Sequence, residues 1–275
     1  ALQKTATYTY DEAGNLLGDA DKSYTWRASG RLDSRTRNGL TTRYAHDPLG
    51  RRLWKETAGV RTTFGWDGDA LALDATLGAA REFVYRPNTF EPLALLRNAN
   101  APPLHYLNDP NGCPIRLIDS AGQIQWAAHY QAWGAIAQLS INRVDNPIRL
   151  QGQYEDGESR LQYNRHRYYA PQIGAFSSQD PLGLAAGVNV YDFAPSVLGW
   201  VDPLGLTGNC GADKAAKEAG AISKATSKID RAAFGKERAA HWKGEAKANP
   251  SKYGAEDLAR MEKGKAPIGP DGHSM

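Results

Sequence analysis

Apolar and polar residues alternate along residues 1–206 with the period of two that is typical of β-strands. The segment YTYDEAGNLL (residues 8–17) is echoed by YTWRASGRLD (24–33) and YAHDPLGRRL (44–53), and more loosely by FGWDGDALAL (64–73). Each copy predicts an alternating strand, a turn at glycine and a returning strand. Because a single hairpin cannot bury its own apolar face, we expect successive hairpins to form one continuous sheet.

The same pattern continues with other letters until residue 206 and then changes. Residues 106–136 and 149–181 also predict strands separated by turns at glycine, and helical periodicity is absent. After residue 206, an Ala-, Lys- and Glu-rich segment predicts a helix that ends at Asn249-Pro250, followed by a short helix over residues 254–262. The chain is therefore expected to be mainly β, with a small, mostly α-helical C-terminal segment.

Composition and charge support a boundary near Leu206. Residues 207–275 contain 13 Lys and Arg against 9 Asp and Glu, whereas residues 1–206 contain 20 against 21. The 28 Gly and 15 Pro fit many short strands, and the two cysteines, far apart, argue against a disulfide framework or a zinc finger. No run of 18 apolar residues predicts a membrane segment, and the N-terminus has no secretory-signal pattern.

The five letters DPLGL occur twice, beginning at Asp180 and at Asp202. Two carboxylates that share one proton can act as general acid and general base. Asp-Pro followed by Gly is also ordinary turn chemistry, in which the aspartate accepts local amide hydrogen bonds. Spacing alone leaves both interpretations open.

Long segments of the chain resemble the C-terminal end of the Rhs core of bacterial Rhs-repeat, or YD-repeat, polymorphic toxins. They are the repeats above, YLNDPNGCPIRLIDSAGQIQWAAHYQAWG, RLQGQYEDGESRLQYNRHRYYAPQIGAFSSQDPLGL and the closing DPLGL. The resemblance implies a β-sheet spiralled into a hollow shell that encloses a C-terminal toxin. It divides the chain into a repeat segment (1–148), a core-associated autoproteolytic segment (149–206) and the first part of the toxin (207–275).

The resemblance also assigns an intramolecular aspartyl protease. Asp180 and Asp202 correspond to the family's catalytic pair, which needs no cofactor, and the bond between Leu206 and Thr207 corresponds to the cleavage site. Arg167 lies at a family arginine position, where it either orients or charge-balances the pair, or is an ordinary exposed strand arginine. The family's GRF is GAF here, at residues 174–176, and its PNP is APS, at residues 194–196. Neither change alters an Asp-Pro step, so we expect cleavage to be retained.

The ending of the chain resembles the segment that leads into HNH-superfamily nuclease toxins. The resemblance rests on KGKAPIGPDG at residues 263–272 and implies a Glu-Leu-His-His motif beyond Met275. HNH chemistry uses histidine and a divalent metal on the scissile phosphate. We therefore expect the complete toxin to need a divalent metal and to act on DNA, with no metal ligand assigned in this chain.

The resemblance further implies partners and a route. The partners are the rest of the Rhs shell, a cognate immunity protein and VgrG/PAAR-type secretion spike components. The protein would be made in the bacterial cytoplasm, secreted, and delivered into target cells by type VI secretion. Two alternatives stay open: a YD-repeat cell-surface protein that binds carbohydrate without catalysis, and the same shell carrying a toxin that is not a nuclease.

Overall fold

The computed structural model describes residues 7–19, 21–98, 101–197, 199–206 and 209–210, and then residues 243, 246, 247, 250, 254–263 and 265. The chain divides into two compact units, residues 1–216 and residues 217–275. Both predicted domain boundaries, 148/149 and 206/207, stay predictions.

A 14-stranded antiparallel sheet forms most of the first unit. Each strand pairs with the next one along the chain, so the spatial order is the sequence order. The strands are β1 (Tyr8–Tyr10), β2 (Leu16–Asp19), β3 (Lys22–Trp26), β4 (Leu32–Arg37), β5 (Leu40–His46), β6 (Arg52–Thr57), β7 (Val60–Asp67), β8 (Ala70–Thr76), β9 (Ala79–Tyr85), β10 (Pro92–Arg97), β11 (Leu104–Asn108), β12 (Pro114–Ile118), β13 (Ile124–Tyr130) and β14 (Ile136–Asn142). The predicted chain of hairpins in one continuous sheet is confirmed.

A recurring five-residue turn joins many of these strands, and Asp47 begins a representative copy. The Gly50 N–H donates to the Asp47 carbonyl, and the Asp47 N–H donates to the Arg51 carbonyl, both at 2.9 Å. The Asp47 carboxylate accepts the Arg51 N–H at 2.8 Å. Gly50 has φ +82°, which a side chain would disfavour. We call this arrangement the repeat turn. Its first residues are Asp11, Arg27, Asp47, Asp109, Asp119 and Gln131.

A smaller sheet follows the first one and packs against it. Its four antiparallel strands are β15 (Tyr154–Glu155), β16 (Gln162–Asn164), β17 (Arg167–Ala170) and β18 (Ala175–Phe176). Tyr163 and Tyr168 pack with Tyr24 and Tyr44 of the large sheet in one core cluster. Tyr154 packs with residues of the large sheet such as Phe64 in another. The smaller sheet is thus held by aromatic contacts that the repeats supply.

The last part of the first unit surrounds the two DPLGL motifs. A 3-10 helix (Gly183–Ala185) begins within the first motif, and a two-stranded antiparallel sheet of β19 (Trp200–Val201) and β20 (Asn209–Cys210) flanks the second. Tyr169, Phe176 and Phe193 form the core beside them.

The described part of the second unit contains the helix α1 (Ala255–Glu262). Glu256 and Asp257 lie in its first turn and Arg260 in its last, as favoured by the helix dipole. The predicted short helix is therefore confirmed. The longer predicted helix before Asn249-Pro250 lies mostly outside the described residues. Within the described ranges, no helix has the length and apolarity needed to cross a membrane.

Candidate active site

Arg167 brings the aspartates of the two DPLGL motifs together. Its Nη2 lies 2.7 Å from Asp180 Oδ2 and 3.6 Å from Asp202 Oδ2. The three side chains are only 1–2% exposed. The structure thus places all three predicted site residues in one buried cluster, although the two aspartates belong to separate turns.

The remaining contacts of Arg167 fix its guanidinium on the second motif. Nε donates to the Gly205 carbonyl at 2.6 Å, and Nη1 donates to the Val190 carbonyl at 3.0 Å. The guanidinium carbon lies 3.6 Å from the centre of the Phe176 ring. Arg167 is therefore not an exposed strand arginine. It joins both carboxyls to the backbone one residue before Leu206.

The two DPLGL motifs share a backbone turn but use their carboxylates differently. Asp180 accepts the Leu182 N–H at 2.8 Å, and the chain continues into the 3-10 helix. Asp202 accepts the Leu206 N–H at 3.0 Å, while its carbonyl accepts the Gly205 N–H at 3.3 Å. These are the two bonds that Asp47 makes at the same positions of the repeat turn. The second motif therefore shares these two bonds with the repeat turn, and its aspartate is buried.

Burial changes the acidity of that aspartate. The pKa of Asp202 is raised to about 6, chiefly by burial, and the nearby Asp180 charge adds to the shift. Hydrogen bonds from the chain instead lower the pKa of Asp119, which begins a repeat turn in the large sheet. Burial also raises the pKa of Asp180, against the Leu182 amide and Arg167. Asp202 Oδ2 is buried and has no hydrogen-bond partner among the described residues.

The tip of the β16–β17 hairpin holds the backbone of the second motif. Asn164 Nδ2 donates to the Asp202 carbonyl at 2.8 Å, and the His166 N–H donates to the Leu204 carbonyl at 3.1 Å. Gly205 has φ +66°, and a Cβ there would lie 2.6 Å from the Asn164 carbonyl oxygen. Sequence reasoning missed Asn164, because an asparagine at a strand end is also ordinary turn chemistry.

Only one side of the predicted cleavage site belongs to the described residues. Leu206 is 7% exposed, and its N–H is held by Asp202. Thr207 lies outside the described residues. In the part of the chain that the structure describes, no group of three or more His, Cys, Asp or Glu side chains is arranged to hold a metal ion.

Comparison with known proteins points to one family. A family model described as RHS protein matches residues 104–140. The chain is 34% identical over 241 residues to double-stranded DNA deaminase toxin A of Burkholderia cenocepacia, which covers 74% of this chain and 17% of that protein. It is 34% identical over 247 residues to toxin protein Tse5 of Pseudomonas aeruginosa, covering 72% of this chain and 18% of that protein.

A third relative is named for a different activity. The chain is 31% identical over 220 residues to probable deoxyribonuclease RhsA of Dickeya dadantii, covering 72% of this chain and 15% of that protein. The chain thus spans less than a fifth of the length of these relatives.

Solved structures share the fold of the β region. A Tc holotoxin pore of Photorhabdus luminescens matches with a TM-score of 0.56 and 20% identity, over 73% of this chain and 11% of that chain. A TcdB2–TccC3–Cdc42 complex matches with the same TM-score and identity, over 73% of this chain and 13% of that chain. The mainly β fold class predicted for this sequence is therefore confirmed.

Proposed function

Because the chain belongs to the Rhs family of polymorphic toxins, we propose that it is the C-terminal part of a secreted antibacterial effector that cuts itself. Residues 1–148 belong to a β-shell around the toxin, residues 149–206 form an intramolecular aspartyl protease, and residues 207–275 begin the toxin. The protease breaks the bond between Leu206 and Thr207. Its catalytic residues are Asp180 and Asp202.

One observation carries the protease proposal. Arg167 contacts both carboxyls and the Gly205 carbonyl, while Asp202 binds the Leu206 N–H. Two buried acids with raised pKa values therefore lie beside the peptide that precedes the proposed cleavage site. Perturbed carboxyl pairs of this kind are typical of catalytic sites.

The environments of the two acids suggest their roles. Asp180 has the shorter contact with Arg167, and this cation favours the ionised form of its carboxyl against the effect of burial, so we assign Asp180 as the general base. Asp202 has the longer contact and a pKa of about 6, so it holds a proton more readily and serves as the general acid. Because Arg167 lies closer to Asp180 than to Asp202, the two carboxyls differ in acidity and take different roles.

Hydrolysis then proceeds by addition of water and breakdown of a tetrahedral intermediate. Asp180 takes a proton from a water molecule, whose oxygen attacks the Leu206 carbonyl carbon, while Asp202 gives its proton to the carbonyl oxygen. In the tetrahedral intermediate, the hydroxyl returns a proton to Asp202. Asp180 passes its proton to the Thr207 nitrogen as the carbon–nitrogen bond breaks. The products are a Leu206 carboxyl group and a Thr207 amino group.

Replacing either aspartate tests this proposal. Asp180→Asn and Asp202→Asn keep the shape of the side chain but remove the base or the acid, so each should leave the full chain as one uncut band on a denaturing gel. Asp119→Asn is the matched control, because Asp119 makes the same turn without the second acid. Its cleavage should equal that of the native chain. Undiminished cutting in either site variant would overturn the assignment.

The relatives support a toxin more than a carbohydrate-binding surface protein. Their names include a DNA deaminase toxin and a probable deoxyribonuclease. Since relatives named for different activities match this chain at similar identity, the match does not select among those activities. The KGKAPIGPDG segment at residues 263–272 favours an HNH nuclease. The divalent metal of such an enzyme would act on the phosphate of its DNA target.

The toxin proposal is tested on the complete protein encoded by the gene. Plasmid DNA incubated with it should be cut in the presence of Mg²⁺, and EDTA should prevent cutting. The matched control is the complete protein with the first His of the expected Glu-Leu-His-His motif replaced by Ala. Intact DNA in which bases have been deaminated would instead assign the deaminase activity named for one relative.

Partners and localisation complete the proposal. We expect synthesis in the bacterial cytoplasm and delivery into target cells by type VI secretion through VgrG/PAAR-type spike components. The rest of the Rhs shell would cover the toxin, and a cognate immunity protein would protect the producing cell from a DNA-degrading product.

A further inference from the structure

The repeat turn between β11 and β12 contacts the chain that leads into the second DPLGL motif. Nδ2 of Asn111, the third residue of this turn, donates to the Val197 carbonyl at 2.6 Å and to the Trp200 carbonyl at 2.9 Å. A side-chain amide nitrogen carries two hydrogens, so one asparagine can serve both carbonyls. Cys113, the fifth residue of the same turn, belongs with Val197 to one buried core cluster. The large sheet thus holds the approach to the second motif.

The two carbonyls that Asn111 contacts belong to a single tight turn. The Trp200 N–H donates to the Ser196 carbonyl at 3.1 Å, which folds residues 196–200 into one turn. Val201 follows as the last residue of β19, and Asp202 comes directly after it. Because this connection is so short, holding the turn also restricts the direction in which the chain enters Asp202.

A second asparagine holds the backbone at Asp202 itself. Asn164 of the small sheet donates to the Asp202 carbonyl at 2.8 Å, two residues beyond the carbonyl of Trp200 that Asn111 holds. The backbone that carries the Asp202 side chain is therefore fixed at two points, one from each sheet. Since a catalytic carboxyl acts only within hydrogen-bond reach of its reactant, a small shift of this backbone would impair catalysis.

The segment of Gln151 and Gly152 links Asn111 to the second motif. Gln151 Nε2 donates to the Asn111 carbonyl at 2.9 Å. The next residue, Gly152, lies against the motif, because a Cβ there would come within 2.1 Å of the Pro203 carbonyl oxygen. Gly152 also has φ +79°, which favours glycine. Asn111 and the second motif are thus seated on the same two residues.

We propose that Asn111 is a positioning residue of the protease, which holds the chain entering the second DPLGL motif so that Asp202 meets Asp180 at Arg167. This inference rests on the proposed protease. It makes cleavage depend on the large sheet, because Asn111 belongs to a turn of that sheet, whereas the two acids and Arg167 belong to residues 149–206. The acid pair is then assembled only after the sheet has formed, and the toxin segment stays attached until that point.

Two substitutions of Asn111 in the full chain test this role. Asn111→Ala removes both donors but suits the turn, because Ala121 occupies the third place of the repeat turn that begins at Asp119. Asn111→Asp keeps the shape and presents a carboxylate oxygen to the two carbonyls. Each should slow cleavage by about tenfold or more after dilution from urea, compared at equal folded fraction. Ser29→Ala alters an exposed third residue of another repeat turn and should be cut as the native chain is.

The pH profile of cleavage separates positioning from support of the fold. Burial, with a contribution from the Asp180 charge and against the effect of Arg167, raises the pKa of Asp202 to about 6. As the catalytic acid, Asp202 must carry its proton, so the rate should fall as the pH rises through this value. Loosening the chain at Asn111 admits water to the carboxyl and lowers its pKa, so in Asn111→Ala the fall should occur at a lower pH. A role confined to folding would leave the profile of the folded chains unchanged.

Amide exchange adds a readout that does not depend on activity. On an uncut Asp180→Asn background, Asn111→Ala should speed hydrogen exchange at the Leu206 N–H, which donates to Asp202 at 3.0 Å, but not in the ladder between β5 and β6. Native cleavage by either Asn111 variant, or equally faster exchange at both places, would overturn the positioning role. Cleavage of Asp180→Asn itself would instead overturn the protease proposal. The two failures are therefore distinguishable.

Discussion

Arg167 contributes more than a charge to the site. Its three nitrogens contact Asp180, Gly205 and Val190, and its flat guanidinium lies on the Phe176 ring. Only a planar group with several fixed donors can make these contacts together. Of the two functional roles open from the sequence, orientation of the motif is therefore favoured over charge balance alone.

Arg167→Lys separates these two roles. A lysine keeps the positive charge, but its single ammonium cannot reach both backbone carbonyls and the acid pair. We expect cleavage to fall by about tenfold or more, which corresponds to the loss of about 1.4 kcal/mol in the transition state. The cut fraction is measured on denaturing gels during refolding from urea. Arg116→Lys, at an exposed strand arginine, serves as the control. Native cleavage by Arg167→Lys would show that charge suffices.

The two DPLGL motifs offer a matched comparison at the scale of the turn. Gly183 and Gly205 occupy the same place in their motifs and have φ +57° and +66°. A Cβ at Gly183 would meet open space, whereas one at Gly205 would strike the Asn164 carbonyl oxygen and approach the Arg167 amide. The glycine of the second turn therefore packs closely against β16 and β17, whereas the glycine of the first turn does not.

Alanine at each glycine should expose this difference. Both substitutions place a side chain at positive φ, which costs about 1 kcal/mol. Gly205→Ala must also move the turn away from Asn164, so we expect a larger fall in thermal stability and impaired cleavage. Gly183→Ala should lower the melting temperature only slightly and leave cleavage intact. The two melting curves and cut fractions are compared directly. Equal behaviour of the variants would contradict the proposed close packing.

Sequence reasoning predicted the hairpins and the residues of the acid cluster, but it did not predict how the turn of the second DPLGL motif pairs and packs. Alternation and glycine spacing are local signals, so they predict strands and turns well. The pairing of Val201 with Asn209 and the contact of Asn164 with Asp202 depend on tertiary packing. Asp202 shares its D-x-x-G spacing with Asp47, but burial, with a contribution from Asp180, raises the pKa of Asp202 to about 6, whereas the pKa of Asp47 is lowered.

A buried ion pair joins the two sheets across the first unit. Arg52 of β6 contacts Asp156, which follows β15, at 2.6 Å, and both side chains are fully buried. Lys55 contacts the same carboxylate at 3.0 Å. The Arg52 guanidinium also lies 4.2 Å from the Phe64 ring centre and 4.4 Å from that of Tyr163. This buried, fully paired carboxylate therefore adds to the aromatic contacts that hold the small sheet against the large one.

Asp156→Asn should destabilise the whole first unit. It leaves the Arg52 charge buried without its counter-ion, a loss of about 3 kcal/mol or more. Asp145→Asn is the control, because Asp145 pairs with Arg81 but its side chain is 84% exposed; that change should cost less than about 1 kcal/mol. Urea unfolding of uncut Asp180→Asn chains measures both. Equal midpoints for the two variants would contradict the role given to the buried pair.

The stabilisation that Asp156 contributes depends on pH. Burial alone would raise the pKa of Asp156, but Arg52 and Lys55 lower it overall. A group with a lowered pKa in the folded state stabilises that state above its unfolded pKa and loses this contribution as the pH falls through the folded pKa. The difference in the free energy of unfolding between the parent chain and Asp156→Asn should therefore become smaller as the pH is lowered, as measured by urea unfolding at each pH.

The pairing of β19 with β20 spans the bond proposed to be cut. Val201 and Asn209 lie on opposite sides of that bond and are hydrogen-bonded partners in one short ladder. A backbone hydrogen bond contributes only about 1 kcal/mol to stability. After hydrolysis, Asn209 can stay paired with Val201 through this ladder, so breaking the chain and separating its two pieces are distinct events. The first is a chemical rate, and the second is a dissociation equilibrium that a denaturing gel does not measure.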